Sequence, residues 1–273
     1  MIFAEAFKTF LFRSMGKRFY LEAMAIKKSL DSLTGHSPER ELQFLHKFVR
    51  PNDQVVDLGA CTGLYSVPLA RLVGANGKVF AFEPVPETFH LLKRVCTFLG
   101  VRGRTKLLNM AVGDVDSQVE ISVPLREEGY FDPGLSHLSM RKNLTDEKSA
   151  DAFGRLKIIR QKMIKLDSMI DEFSNLTFIK MDIEGAELKA LRGMSTVVDQ
   201  FRPSILMEYT IHFLKGMGEG AADFEDWLSL KRYSAFQLVG DRLRHASRPL
   251  QTSYLFLLPE EKLSRWQEFI ESV

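Results

Sequence analysis

The chain has little that would mark a specialised class. It carries only two cysteines, Cys61 and Cys96, and contains neither a C-x-x-C nor an H-E-x-x-H spacing. That excludes a disulfide framework and the zinc sites such spacings build. Two thiols suit a reducing compartment, so a cytoplasmic protein is expected. No apolar run approaches the roughly 18–20 residues needed to cross a bilayer. Charges interrupt the N-terminus every few residues, and it lacks the apolar core and small-residue cleavage site of a secretory signal. Net charge is almost absent: 37 Lys and Arg against 35 Asp and Glu leave +2. That balance, with no RNA or DNA signature, argues against a nucleic-acid partner. There is no internal repeat and no low-complexity tract. Tryptophan and tyrosine are scarce, at 2 and 6, whereas phenylalanine reaches 21. With 45% hydrophobic and 26% charged residues among 273, the composition is that of an ordinary globular chain of one or two domains.

The periodicity divides this chain into a helical extension over residues 1–48 and a main domain over 49–273. In the extension, Phe3, Phe7, Phe10 and Leu11, then Leu21, Met24 and Ala25, recur at helical spacing. Residues 1–28 hold six Lys or Arg and two Glu, a local excess of +4. A basic, Phe-rich amphipathic helix can lie on an anionic membrane surface, so residues 1–30 are a candidate contact for a membrane or a second copy of the chain. The plainer alternative docks the apolar stripe on the main domain. Ser37 and Pro38 form a helix start, and Glu39–Val49 reads as helix. From Val55 onward, short apolar strands alternate with helical stretches. The strands are Val55–Leu58, Lys78–Glu83, Lys106–Met110, Phe178–Met181 and Ser204–Met207. Such alternation means βαβ units and a parallel sheet covered on both faces. Ala235–Val239 and Ser253–Leu258 follow one another without a helix and read as an antiparallel pair at the sheet edge. Residues 124–157, turn-rich and then polar, read as an insertion. Phe80, Phe82, Phe178 and Phe256 fall on strands and are expected in the core.

The strongest chemical signal is Asp57-Leu58-Gly59-Ala60-Cys61-Thr62-Gly63, which follows a strand and opens a helix. Its glycines allow a tight turn and close approach of a ligand to backbone N–H groups at a helix start. A tight turn that binds nothing is the alternative. The second strand then ends in Glu83, placed to take both hydroxyls of a ribose. A dinucleotide site would show G-x-G-x-x-G, whereas Cys61 occupies the place of the second glycine. That loop has less room for a pyrophosphate and suits S-adenosylmethionine.

The segments VVDLGACTGLYSVPLA, VFAFEPVPETFHLLKRV, NMAVGD and FIKMDIEGAELKALRGM resemble the FkbM family of S-adenosylmethionine-dependent methyltransferases, over roughly residues 40–260. The most specific block runs from Ile179 to Glu187, followed by Leu191 and Gly193. The resemblance implies an α/β class I methyltransferase fold, Rossmann-like, with a seven-stranded sheet in the order 3-2-1-4-5-7-6 and the seventh strand antiparallel. It implies methyl transfer to a hydroxyl of a glycan, polyketide or other small-molecule acceptor. It places Asp57, Gly59, Ala60 and Gly63 along the methionine part of the cofactor, Glu83 on the ribose, Asn109 and Ala111 near the adenine, and Asp182 beside the methyl group. Cys61 departs from the family, where Asn or Gly is frequent, and the resemblance does not explain the basic N-terminal helix.

A hydroxyl acceptor must lose its proton during attack, which calls for a base or a metal. Asp182, Glu184 and Glu208 are carboxylates near two strand ends and are candidates for holding Mg²⁺ or Ca²⁺. Glu184 and Glu187 could equally serve the first turn of a helix, where acids are favoured. His137 and His212 are candidate bases; the family-like Gly-Leu-Ser segment before His137 tends to close over the acceptor. The other readings kept open are an RNA or protein methyltransferase and a membrane-surface interaction protein that retains the cofactor fold.

Overall fold

A computed structural model describes residues 39–125, 137–138, 155–247, 250 and 253–271, with residues 16, 19, 21 and 23–27 of an N-terminal helix. The expectations on Phe3, Phe7, Phe10, Ser37 and Pro38 lie outside those residues, as does the middle of the expected insertion.

In chain order the elements are β1 (Gln54–Leu58), α1 (Ser66–Leu72), β2 (Lys78–Phe82), α2 (Pro86–Phe98), β3 (Thr105–Leu108), β4 (Ala111–Val112), β5 (Ser117–Leu125), β6 (His137–Leu138) and β7 (Arg155–Ile164). There follow β8 (Leu176–Met181), α3 (Glu187–Gly193), α4 (Ser195–Phe201), β9 (Ser204–Tyr209), α5 (Ile211–Gly216), α6 (Ala221–Lys231), β10 (Tyr233–Val239), β11 (Arg242–His245) and β12 (Ser253–Pro259). The segment Arg40–Lys47, expected as part of an α-helix, is 3₁₀.

The main sheet runs β3-β2-β1-β8-β9-β12-β10-β11. The first five of these strands are parallel, and β12 is antiparallel to both its neighbours. The expected seven-stranded order is corrected in count. β11 is an eighth strand, added at the edge beyond β10 by a hairpin through Gly240 and Asp241. Its sequence, Arg242-Leu243-Arg244-His245, holds a single apolar residue, too little to announce a strand. On an edge strand such charges face water while Leu243 alone turns inward. The expected edge pair is also refined: β12 lies inside the sheet, hydrogen-bonded to β9 on its other side.

The break in the βα rhythm starts earlier than residue 124. β4, β7, β5 and β6 form a separate four-stranded sheet between β3 and β8, with Ile121 opposite Ile159 in its central antiparallel pair. Its link to the main domain explains one motif glycine. A Cβ on Gly193, at the end of α3, would sit 1.8 Å from the carbonyl oxygen of Gly113, so only hydrogen fits where β4 passes the helix.

Strand parity sorts the core into two layers. Val56, Leu58, Phe80, Phe82, Ile179 and Met181 face one side; Val55, Val79, Ala81, Phe178, Leu206 and Phe256 face the other. The phenylalanine surplus largely fills these layers. Phe48, just past the 3₁₀ segment, stacks on Phe256 at 4.9 Å and reaches Phe178 and Trp266, so the end of the expected extension is part of the core.

Candidate active site

The carboxyl ends of β1, β2 and β8 surround a cleft lined among others by Gly59, Cys61, Glu83, Ala111, Asp182 and Glu184. This is the edge at which open α/β sheets bind ligands.

The β1–α1 turn closes the cleft floor. Gly59 has φ +76°, and a Cβ there would lie 1.8 Å from the Asp182 carbonyl oxygen. Two conditions, a left-handed backbone and contact with the neighbouring strand end, therefore demand glycine. Cys61 also has a left-handed φ of 47°, and Glu184 one of 56°. Asn and Gly take this conformation with less strain than Cys. Both strained side-chain-bearing residues line the cleft, where strain tends to be stored.

Glu83 is buried at the end of β2. Its two carboxyl oxygens accept the Cys61 and Val85 N–H groups, each at 2.9 Å. Burial pushes its pKa from the ordinary 4.5 up to about 7, with the two N–H bonds opposing. Asn109 stands one layer back: its amide donates to the Glu83 and Pro84 carbonyls at 2.8 and 3.0 Å and accepts from Gln161. It fixes the chain that presents Glu83 and is not among the cleft-lining residues, whereas Ala111 is.

Asp57, Ala60 and Gly63 also lie behind the wall. Asp57 is fully buried and accepts the Ser66 hydroxyl at 2.5 Å; burial raises its pKa to about 6, opposed by Ser66 and Lys180. Gly63 abuts Leu92, Val67 and Val95, on the helix side of the turn.

A row of charged and phenolic side chains crosses the sheet beside the cleft. Asp57 on β1 pairs in register with Lys180 on β8, and Glu208 on β9 with Tyr254 on β12. Lys180 is 2% exposed, with Nζ 3.3 Å from Asp182 Oδ2. It lies over the rings of Tyr65 at 4.5 Å and Tyr254 at 5.1 Å. The Tyr254 hydroxyl donates to the same Asp182 oxygen at 3.2 Å. Glu208 meets Asp182, and burial followed by that negative neighbour pushes its pKa to about 7. Glu187 accepts the Ile183 N–H at 3.0 Å, closing the loop after β8; burial raises it to about 7 as well.

Lys180, Tyr65 and Tyr254 were not singled out from sequence. A lysine inside Phe178-Ile179-Lys180-Met181 was a legible signal, since a charge in a buried strand needs a partner. Nothing in the sequence could reveal that Tyr254 shares it, because that depends on the β12 register.

The candidate histidines belong to other elements. His212 is an exposed residue of α5, near the Phe213 ring, and is not among the residues lining the cleft. The backbone of His137 pairs with Ser122, next to cleft-lining Ile121. Among the described residues no group of three or more His, Cys, Asp or Glu is placed to hold a metal. Asp182, Glu184 and Glu208 thus do not gather into the cation site that the sequence suggested. No described helix is long and apolar enough to cross a membrane.

A mainly parallel α/β sheet with a cleft at its carboxyl edge, and a buried acid ending the second strand, defines a Rossmann-like cofactor-binding domain. The family model described as Methyltransferase FkbM domain matches residues 57–238, and the chain belongs to that family. No curated protein matches it. Similar solved structures include methyltransferase FkbM from Methylobacillus flagellatus KT, at 17% identity, 80% of this chain and 50% of that one, TM-score 0.46. Another is the O-methyltransferase from Bacillus cereus in complex with SAH, at 12% identity, 93% and 97% coverage, TM-score 0.46. A third is a SAM-dependent O-methyltransferase from Thermotoga maritima, at 13% identity, 84% and 69% coverage, TM-score 0.42. The chain spans half the length of the Methylobacillus protein.

Proposed function

We propose that this protein binds S-adenosylmethionine in the cleft and transfers its methyl group to a hydroxyl oxygen of a small-molecule or glycan acceptor. The observation that carries the reading is Glu83, a buried carboxyl on the cleft wall, held by two backbone N–H groups at the end of β2. Each of its oxygens keeps a second lone pair for a ribose hydroxyl. The donor set fits such a cofactor: Glu83, Asp182 and Glu184 stand in an otherwise mostly apolar lining that carries no basic side chain, so it favours a cation. When bound, S-adenosylmethionine supplies a methyl group on a positively charged sulfur.

The residues of the chain orient and deprotonate. Asp182 reaches the cleft from the end of β8, and Lys180 and Tyr254 fix one of its oxygens. Glu208 pairs with it, and burial, then the Asp182 charge, pushes the Glu208 carboxyl up to about 7, which supplies a proton site near neutral pH. An acceptor hydroxyl placed against Asp182 would pass its proton to this pair. In this reading the pair, rather than His212 or His137, is the proton acceptor, and positioning supplies much of the acceleration.

Isothermal titration with S-adenosylmethionine and S-adenosylhomocysteine tests the cofactor. Both should bind, and Glu83→Gln should weaken them about 10- to 100-fold, the size of a lost charge-assisted pair of hydrogen bonds. A folded protein that binds neither refutes the proposal. Methyl-labelled cofactor offered with extracts should then label a base-stable ether in a small-molecule or glycan fraction. Label confined to RNA or protein would overturn the acceptor class.

A further inference from the structure

The family match begins at residue 57, yet a residue before it, Leu21, is buried in one cluster with residues that line the cleft. Three described positions of the N-terminal helix, Leu21, Met24 and Ala25, follow the i, i+3, i+4 spacing of one helix face. Leu21 is buried in a cluster with Val85, Ala111, Ile121 and Ala186, and all four of those also line the cleft. Ala25 is buried in the other layer, whose members include Ala60 and Tyr65, and Met24 packs against it. The opposite face carries Phe19 and Ile26, 41% and 52% exposed. One apolar helix face therefore joins both clusters, Leu21 in the one and Ala25 in the other.

A second anchor lies at Glu39, the residue before the 3₁₀ segment. Its carboxylate acts, after burial, to push the Tyr65 phenol far above its ordinary range, and it also raises Asp57. Tyr65 is one wall of the Lys180 cage. Leu21 thus packs in the cluster behind the cleft lining, while Glu39 acts on Tyr65, beside Lys180.

Resting on the cofactor reading above, we propose that the segment around Leu21 is part of the cofactor site. Leu21 is a positioning residue that completes the apolar wall formed by Val85, Ala111, Ile121 and Ala186. If the wall is complete only when the helix is docked, ligand binding and helix docking stabilise each other, because a ligand that prefers the docked form shifts the equilibrium toward it. The same face cannot then be the surface that holds a membrane or a second copy.

The test uses the full chain and S-adenosylhomocysteine. Hydrogen exchange of the amides of residues 21–27 should slow at least fivefold at saturating ligand, since exchange there requires the helix to lift. Leu21→Asp should weaken binding at least tenfold, with the folded state checked by circular dichroism. Ile26→Asp, on the exposed face, should stay within twofold of the parent. Unchanged exchange at 21–27 under saturating ligand overturns the proposal. So do equal affinities for the two variants. Those outcomes leave the cofactor reading intact, whereas a parent chain that binds no S-adenosylhomocysteine removes both.

Discussion

Glu83→Gln separates the stability of the fold from its binding function, and the structure sets the size of the effect. Burial raises Glu83 from 4.5 to about 7, and each pKa unit corresponds to about 1.4 kcal/mol. Below pH 4.5 the carboxyl is protonated in both folded and unfolded chains. Between 4.5 and 7 the unfolded chain ionises first, so stability falls as pH rises; above 7 both are ionised and the loss is complete, at about 3 kcal/mol. Glutamine carries no charge and removes that loss. It also presents an NH₂ group where the carboxylate accepted an N–H from Cys61 or Val85, costing about 1–2 kcal/mol for one broken buried bond. The net expectation changes sign with pH. The variant should be less stable than the parent by about 1 kcal/mol near pH 4.5 and more stable by about 1–2 kcal/mol at pH 8. Urea unfolding of ligand-free parent and variant across that range measures this directly. A stability difference independent of pH would refute the buried, proton-binding Glu83. A variant that is more stable at pH 8 yet binds the cofactor poorly would show a site maintained at the expense of stability.

Two further variants probe the backbone around the cleft. Gly193→Ala places a Cβ 1.8 Å from the Gly113 carbonyl oxygen and should cost about 3 kcal/mol in thermal unfolding, since neither backbone can yield freely. Gly103→Ala, with open space around its site, should change stability by less than about 0.5 kcal/mol; equal effects would remove the close-packing account of the motif. Cys61→Asn should raise stability by about 0.5 kcal/mol, because Asn tolerates the left-handed φ of 47° better. Its affinity for S-adenosylhomocysteine should hold, as the contact with Glu83 is made by the backbone N–H. A lower melting temperature would contradict the strain at this position.

The parallel half of the sheet was readable because each of its strands is a short apolar run bounded by turn residues, and Glu83 and Asp182 stand where those runs stop. Face assignment was readable in principle too: Asp57 and Lys180 occupy odd-one-out positions in buried strands, and a period of two puts Lys180 and Asp182 on one side. What the sequence withheld are facts of register and long-range packing. Alternating Arg242 and Arg244 carry no mark that distinguishes an edge strand from a loop. The second sheet joins β5 to β7 across a segment too polar to announce a pairing. The contact that forces Gly193 comes from a carbonyl 80 positions earlier. Cofactor roles inferred for Asp57, Gly63 and Asn109 illustrate the same limit, since a motif locates a turn but not which of its atoms face the cleft.

The electrostatic arrangement joins these elements into one unit. Asp57, Glu83, Asp182, Glu187 and Glu208 converge on the strand ends, and Lys180 is the buried ammonium among them. Burying so many carboxylates against one cation is unfavourable unless charge is compensated. In the ligand-free protein protons can do this, because burial raises Asp57 to about 6 and Glu83, Glu187 and Glu208 to about 7. A positively charged ligand in the cleft would take over that compensation and draw the same groups toward their ionised forms. Lys180 then has a reason to sit inside a strand that otherwise reads as pure core. Placed between two phenol rings and tied to Asp182, it offsets part of the carboxylate charge, and a cationic ligand in the cleft would offset more of it.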